Sequence, residues 1–151
     1  MHRVTLSFDA RCKSRLLVEL ENGERAGLLI ERGRILRGGD RVSLADGREA
    51  EIVAADETLI EAVSDDPALV AKAAYHLGNR HVAVQVMKDR LRCFADHVLA
   101  DMLRGLKLEV RSITAPFEPE SGAYGTHHAH APEILAPRPK IHEFSSTPSK
   151  P

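Results

Sequence analysis

Short apolar-rich runs, separated by polar and glycine-containing turn signals, fill the first 56 positions of the chain. The first run alternates apolar and polar residues as a strand does, and the near-regular spacing of the runs predicts strands at 4–8, 16–20, 26–30, 41–44 and 49–55. Asn22-Gly23 and Asp46-Gly47 predict tight hairpins, since a type I′ turn requires positive φ at both central residues. The pattern predicts an all-β module, a small barrel or sandwich whose charged strand faces are solvated surface.

Between residues 57 and 114 the apolar spacing changes and helices enter. Strands are predicted at 58–63, 81–86, 91–94 and 108–114, with one helix ending at Leu77 and another over 96–106. The order β-α-β-β-α-β is the ferredoxin-like split βαβ pattern. This fold hosts enzymes, RNA binders and metal carriers, so the order predicts a second module but no function.

The two predicted helices differ in what their sequence specifies. The first has an N-cap region with a proline just inside it, and Gly78-Asn79 is predicted to end it because glycine tolerates positive φ. In the second, apolar side chains at every fourth position are predicted to face the core: Phe94, Val98, Met102 and Leu106. His97 lies beside this stripe, with Asp96 next to it and Asp101 one turn further on.

From Ala115 onwards the composition becomes polar and rich in proline. Seven of the eight prolines lie in 116–151. A segment with so little apolar surface cannot offset the entropy of ordering, so a flexible tail is predicted. Four of the eight histidines lie there, and composition alone leaves open whether they are metal ligands or a chance cluster: His127, His128, His130 and His142.

These patterns together predict an α+β protein. An N-terminal all-β module is followed by a ferredoxin-like β-α-β-β-α-β domain and a flexible tail. The predicted boundaries are 1–70 for the β domain, 71–125 for the ferredoxin-like domain and 126–151 for the histidine-containing tail.

Composition and charge argue against several classes of protein. The formal net charge is −1 with both signs interspersed, which is unlike a nucleic-acid or membrane-surface footprint. No run approaches the roughly 18 apolar residues of a membrane span, and the first residues lack the apolar region of a signal peptide. Cys12 and Cys93 stand far apart without a Cys-x-x-Cys motif, as expected for a cytoplasmic protein with reduced thiols.

His97 is the residue around which candidate chemistry can be built. A lone helical histidine is most simply a structural or surface residue, but a two-fold axis would duplicate it into a metal-binding pair. Imidazole suits Ni²⁺, Cu²⁺ and Zn²⁺. An enzyme would instead use His81 or His97 with Asp96 or Asp101 for acid–base work. Because a nucleophile motif, a glycine-rich phosphate loop and a paired-carboxylate site are all missing from the sequence, no enzymatic activity is expected.

Four sequence blocks, in this order, resemble those of the urease accessory protein UreE family of nickel metallochaperones. They are Tyr75-His-Leu-Gly-Asn-Arg-His81, Asp96-His-Val-Leu99, Asp101-Met-Leu103 and Pro116-Phe-Glu-Pro-Glu-Ser-Gly-Ala-Tyr124. The resemblance implies a cytoplasmic homodimer with an N-terminal peptide-binding-like β domain and a C-terminal ferredoxin-like metal domain. It also implies delivery of Ni²⁺ to apo-urease through the urease GTPase complex.

By this resemblance His97 binds nickel at the dimer axis, and the dimer is expected to form through residues 71–114. The histidines of the tail would complete the coordination sphere or collect metal for transfer. His76 and His81 match the first block and are interpreted as supporting the fold. Storage of many ions is not expected, because the tail lacks a long histidine run. The alternative is a non-metal adaptor whose β domain binds partner peptides.

Overall fold

The computed structural model describes residues 1–122, so the predictions for the tail lie outside the described residues. The elements in chain order are β1 (His2–Leu6), α1 (Phe8–Arg11), β2 (Arg15–Glu19), β3 (Arg25–Leu29), β4 (Arg41–Ser43), β5 (Glu49–Ala54), β6 (Asp56–Val63), α2 (Pro67–Asn79), β7 (Gln85–Val86), β8 (Arg90–Phe94), α3 (His97–Gly105) and β9 (Glu109–Pro116). The mixture of sheets and helices confirms the predicted α+β class.

The first module is built from two small sheets around an aliphatic core. One sheet has the order β1-β5-β4, with β1 parallel and β4 antiparallel to β5, and the other is the β2-β3 hairpin. Buried side chains of these strands and of the connections between them form one cluster: Val4, Leu6, Val18, Leu20, Ala26, Leu28, Leu36, Val42, Leu44, Ala50 and Ile52. The predicted strand over 4–8 ends at Leu6, because Phe8–Arg11 forms one helical turn in this otherwise β-built module. Ser7 caps this turn by accepting from the Ala10 N–H.

Both predicted hairpins lie where expected but use a different turn. Each loop has three residues and ends in a glycine with positive φ, 80° at Gly23 and 87° at Gly47. Asn22 and Asp46 keep negative φ, and each side-chain oxygen instead accepts the backbone N–H two residues further on. The local side-chain bond therefore replaces the second left-handed residue that a type I′ turn needs.

The second module has the ferredoxin-like arrangement that the element order predicted. Its sheet has the order β7-β8-β6-β9, antiparallel throughout. Helices α2 and α3 cover one face, where the buried side chains of helices and strands form a second core: Ile60, Ala62, Val70, Ala73, Leu77, Leu91, Cys93, Leu99, Ala100, Leu103 and Leu108. Because β6 begins at Asp56, the second sheet starts earlier in the chain than the boundary placed at 70–71.

The connection after α2 differs from its prediction. The helix continues through Gly78 to Asn79, and the left-handed residue that follows is His81, with φ 55°. Only Gln85–Val86 pairs as a strand, so the predicted strand over 81–86 is mostly a loop. The strand was predicted from the apolar run Val82-Ala83-Val84. In the structure these three residues lie in a loop, and their side chains are half-buried.

The predicted inward face of α3 is only partly correct. Met102 and Leu106 pack half-buried against the core as predicted, but Val98 is 55% exposed and the buried residues are Leu99, Ala100 and Leu103. Phe94, the first member of the predicted stripe, belongs to strand β8, so a spacing counted from it does not define the buried face of the helix. Within the described residues, no helix has the length and apolar character needed to cross a membrane.

Candidate metal site

The start of α3 fixes the position of the candidate ligand. Asp96 is the N-cap residue, and its carboxylate accepts the backbone N–H groups of Val98 at 2.8 Å and Leu99 at 3.0 Å. These bonds satisfy backbone N–H groups of the first helical turn, which have no acceptor within the helix. His97 is consequently the first helical residue, and it is exposed. The carboxylate of Asp96 is used in capping, which makes it a poor acid–base partner for His97.

The surface around the start of α3 is partly apolar. Val98, the residue that follows His97, is 55% exposed. Asp101, one turn along the helix, pairs instead with Arg104 at 3.3 Å on the solvent side. Scattered exposed apolar side chains are ordinary, but one adjacent to a candidate ligand on the same helical turn is suited to contact with a second protein surface.

One chain does not assemble a metal site from its described part. Across residues 1–122, no group of three or more histidine, cysteine, aspartate or glutamate side chains is arranged to hold a metal ion. Divalent nickel, copper and zinc usually take at least four ligands. A metal bound at His97 would therefore need ligands from elsewhere, such as a second copy of the chain or the tail.

The other histidines predicted from sequence fall into two groups. His76 is half-buried in the last turn of α2, where its ring meets the Tyr75 ring edge-on with centroids 5.4 Å apart. His81 is exposed in the left-handed position after α2, and its N–H donates to the Gly78 carbonyl. The remaining predicted ligands lie outside the described residues: His127, His128, His130 and His142.

A buried carboxylate on the sheet is a feature that sequence reasoning missed. Glu61 on β6 is 2% exposed and accepts from Arg92 at 2.7 Å, Arg111 at 2.6 Å and Arg90 at 3.2 Å. Burial raises the pKa of Glu61, but the hydrogen bonds from Arg92 and Arg111 outweigh it and hold that pKa below its ordinary value. The three arginines sit on β8 and β9, so only the strand register could have revealed the cluster.

The fold and the site together define a class. This is a two-module α+β protein, with a ferredoxin-like second module that presents a histidine at an exposed helix start. Two family models match the chain, "UreE urease accessory protein, N-terminal domain" over residues 1–55 and "UreE urease accessory protein, C-terminal domain" over residues 57–145.

Similar proteins carry the name of the same family. A urease accessory protein UreE of Dechloromonas aromatica (strain RCB) is 49% identical over an alignment covering 93% of this chain and 90% of the relative. The corresponding protein of Citrobacter koseri is 54% identical over 85% of this chain and 88% of the relative. The protein of Pseudomonas putida (strain W619) is 53% identical over 80% of this chain and 76% of the relative. The chain belongs to the UreE urease accessory protein family, which confirms the resemblance carried by the four sequence blocks.

Proposed function

We propose that this chain is a homodimeric carrier that binds Ni²⁺ and delivers it for assembly of the urease active site. Membership of a urease accessory family supports a role in urease maturation. The proposal adds the cargo, the oligomeric state and the ligand. The urease GTPase and maturation complex and apo-urease are the proposed partners, and the cytoplasm is the proposed compartment.

The observation that carries the proposal is the placement of His97. Its imidazole lies at an exposed helix start, next to the exposed side chain of Val98. A two-fold axis passing near this turn would bring two copies of His97 together and cover both copies of Val98. A single dimer contact would then provide a pair of nitrogen ligands. It would also explain why an apolar side chain is exposed at this position.

The coordination sphere needs more than two nitrogens, and we propose that the tail histidines or water supply the rest. His127, His128, His130 and His142 would add ligands or collect ions for transfer. A carrier benefits from ligands that exchange readily, because an ion must also be released. Zn²⁺ and Cu²⁺ suit the same imidazole ligands, so selectivity for nickel would come from geometry and metal supply.

The competing proposal is an adaptor that binds partner peptides through its β module and carries no metal. Equilibrium dialysis of the full chain against Ni²⁺, with His97→Ala as the comparison, separates the two. A carrier retains nickel and loses the tightest ion in the variant. A dimer that retains no nickel, and whose partner binding is the same with and without the ion, would favour the adaptor. Neither role requires catalysis by this chain.

A further inference from the structure

Arg11 is the most deeply enclosed charged side chain where the two modules meet. Its exposed fraction is 0%, although it lies at the end of a four-residue helical turn in the first module. Its guanidinium donates to the carbonyl of Leu36 at 3.1 Å and to the carbonyl of Phe117. Within residues 1–122, its Nε has no hydrogen-bond partner. A buried cation in this state depends strongly on a counter-charge.

Glu118 supplies that counter-charge. One carboxylate oxygen lies 3.0 Å from Arg11 Nη1 and accepts the Gly38 N–H at 2.9 Å, while the other accepts from Arg37 Nη1 at 3.1 Å. A Cβ on Gly38 would lie 3.3 Å from Glu118 Oε1, so glycine permits this close approach. Three groups of the first module therefore converge on a single carboxylate from the end of the second.

The segment 117–121, named here the clamp segment, is also held by the second module. The Glu118 N–H donates to Gln85 Oε1 at 3.1 Å, and the Glu120 N–H donates to the Val84 carbonyl at 2.8 Å. Both acceptors belong to the β7 region. The clamp segment thus bonds to the first module through the Glu118 carboxylate, the Phe117 carbonyl and the Ser121 hydroxyl. It bonds to the second module through backbone N–H groups.

Aromatic packing continues the same contact. The ring of Phe117, which is 0% exposed, lies edge-on to Phe8 of α1 at 5.5 Å and to Phe94 of β8 at 4.6 Å between centroids. The Phe8 N–H also donates to Glu57 on β6 at 3.0 Å. Phe117 therefore packs between the two modules, and the neighbouring Glu118 anchors the segment that carries it through an ion pair with Arg11.

We propose that Glu118 and Arg11 are positioning residues that hold the β module (1–55) rigidly against the ferredoxin-like module (56–116). With the carboxylate neutralised or removed, the modules would move about the short link at Ala55. Arg11 would then be a buried cation that keeps two carbonyl acceptors but has lost its counter-charge. The functional consequence rests on the proposed function. A partner bound by the β module would be held at a fixed distance from His97.

Pulsed dipolar spectroscopy on the full chain tests this inference. Nitroxide labels at Glu21→Cys and Lys72→Cys report the distance between modules, with Cys12→Ser in every protein and an excess of unlabelled chain to suppress intermolecular distances. Glu118→Gln and Glu118→Ala are compared with Glu24→Gln. Glu24 pairs with Arg48 inside the β module, so the control removes a carboxylate charge from an arginine without touching the clamp segment. Circular dichroism confirms that each variant is folded.

A narrow distance distribution is expected for the parent and for Glu24→Gln, and a clearly broadened one for both Glu118 variants. Distributions as narrow as the parent's in both Glu118 variants would overturn the proposal. So would equal broadening in the control. If Glu118→Ala does not fold, Glu118→Gln decides, because its amide oxygen still accepts the Gly38 N–H while the charge is lost.

Hydrogen exchange of the same proteins gives a second readout. The amides of Gly38, Glu118 and Glu120 should exchange together in the parent, and the Gly38 amide should exchange roughly tenfold or more faster in Glu118→Gln, as expected when a charge-assisted hydrogen bond is weakened. Unchanged exchange would count against the clamp. Nickel titration of the parent is independent of these measurements. A parent without bound nickel would overturn the proposed function and leave the clamp intact.

Discussion

Arg11 and Glu118 come from opposite ends of the described chain and form an ion pair of 3.0 Å between Nη1 and Oε1. Arg11 is fully enclosed, and the side chain of Glu118 is 30% exposed. Burial raises the pKa of Glu118, but the hydrogen bonds from Gly38 and Arg37 and the charge of Arg11 outweigh it and lower that pKa. The pair joins a buried cation of the first module to the segment that follows the last strand of the second.

The first prediction separates the roles of His97 and the tail. Replacing His97 by alanine should abolish the tightest nickel site, since it removes the ligand that a two-fold axis would duplicate. Deleting residues 126–151 should remove or weaken additional ions while keeping the central one. Titration calorimetry of both variants measures this, with circular dichroism as the folding control. Retention of the tight ion in His97→Ala, combined with its loss on truncation, would assign the primary site to the tail.

The second prediction concerns pH and follows from ligand chemistry. Histidine ligands must be neutral to bind metal, and imidazole has a pKa of about 6.5 in model peptides, so protons compete with the ion. Nickel affinity should fall as the pH drops from about 7.5 to about 5.5. Equilibrium dialysis at several pH values checks it. A flat profile over this window would show that carboxylates or backbone groups hold the metal.

The third prediction contrasts two neighbouring faces of α3. Val98→Asp should leave the folded chain intact, because this side chain is 55% exposed, but should weaken the dimer by placing a charge at its proposed interface. Leu103→Ala, at a position 1% exposed, should instead lower the free energy of unfolding by about 2–5 kcal/mol. Light scattering reports the first effect and denaturant unfolding the second. A Val98→Asp protein as dimeric as the parent would exclude this face.

The fourth prediction concerns Glu61, the buried carboxylate that accepts hydrogen bonds from three arginines. The pKa of Glu61 is lowered from an ordinary value of 4.5, so its ion pairs stabilise the fold fully above that pH. This stabilisation is lost as the pH falls below 4.5 through the folded-state pKa. Glu61→Gln should reduce the stability at pH 7 by about 2 kcal/mol, a modest value because the arginines are partly solvated.

Denaturant midpoints between neutral and acidic pH measure this effect. The parent should lose stability steeply on acidification, and Glu61→Gln should lose less over the same range, so that the two curves converge at low pH. Glu24→Gln provides the surface control. Parallel curves for the parent and Glu61→Gln would show that Glu61 does not couple to the acid transition.

The sequence by itself determined the elements whose signals are local. The turns at Gly23 and Gly47 require the positive φ that glycine tolerates. The predicted N-cap region of α2 is confirmed at Asp66, whose side chain accepts the Ala68 N–H. The order of strands and helices after Ala55 was sufficient to predict the ferredoxin-like arrangement, because short connections leave few ways in which the strands can pair. The cap of α3 is also local, since Asp96 accepts N–H groups two and three residues further on.

Only the tertiary structure decided which side chains are enclosed. The sequence patterns singled out neither Arg11 nor Glu61, and only the strand register places three arginines around Glu61. The phase of α3 was likewise set by packing on the sheet, which exposes Val98 and buries Leu103. Burial and charge pairing depend on contacts between residues far apart in the chain, and periodicity carries no information about such contacts.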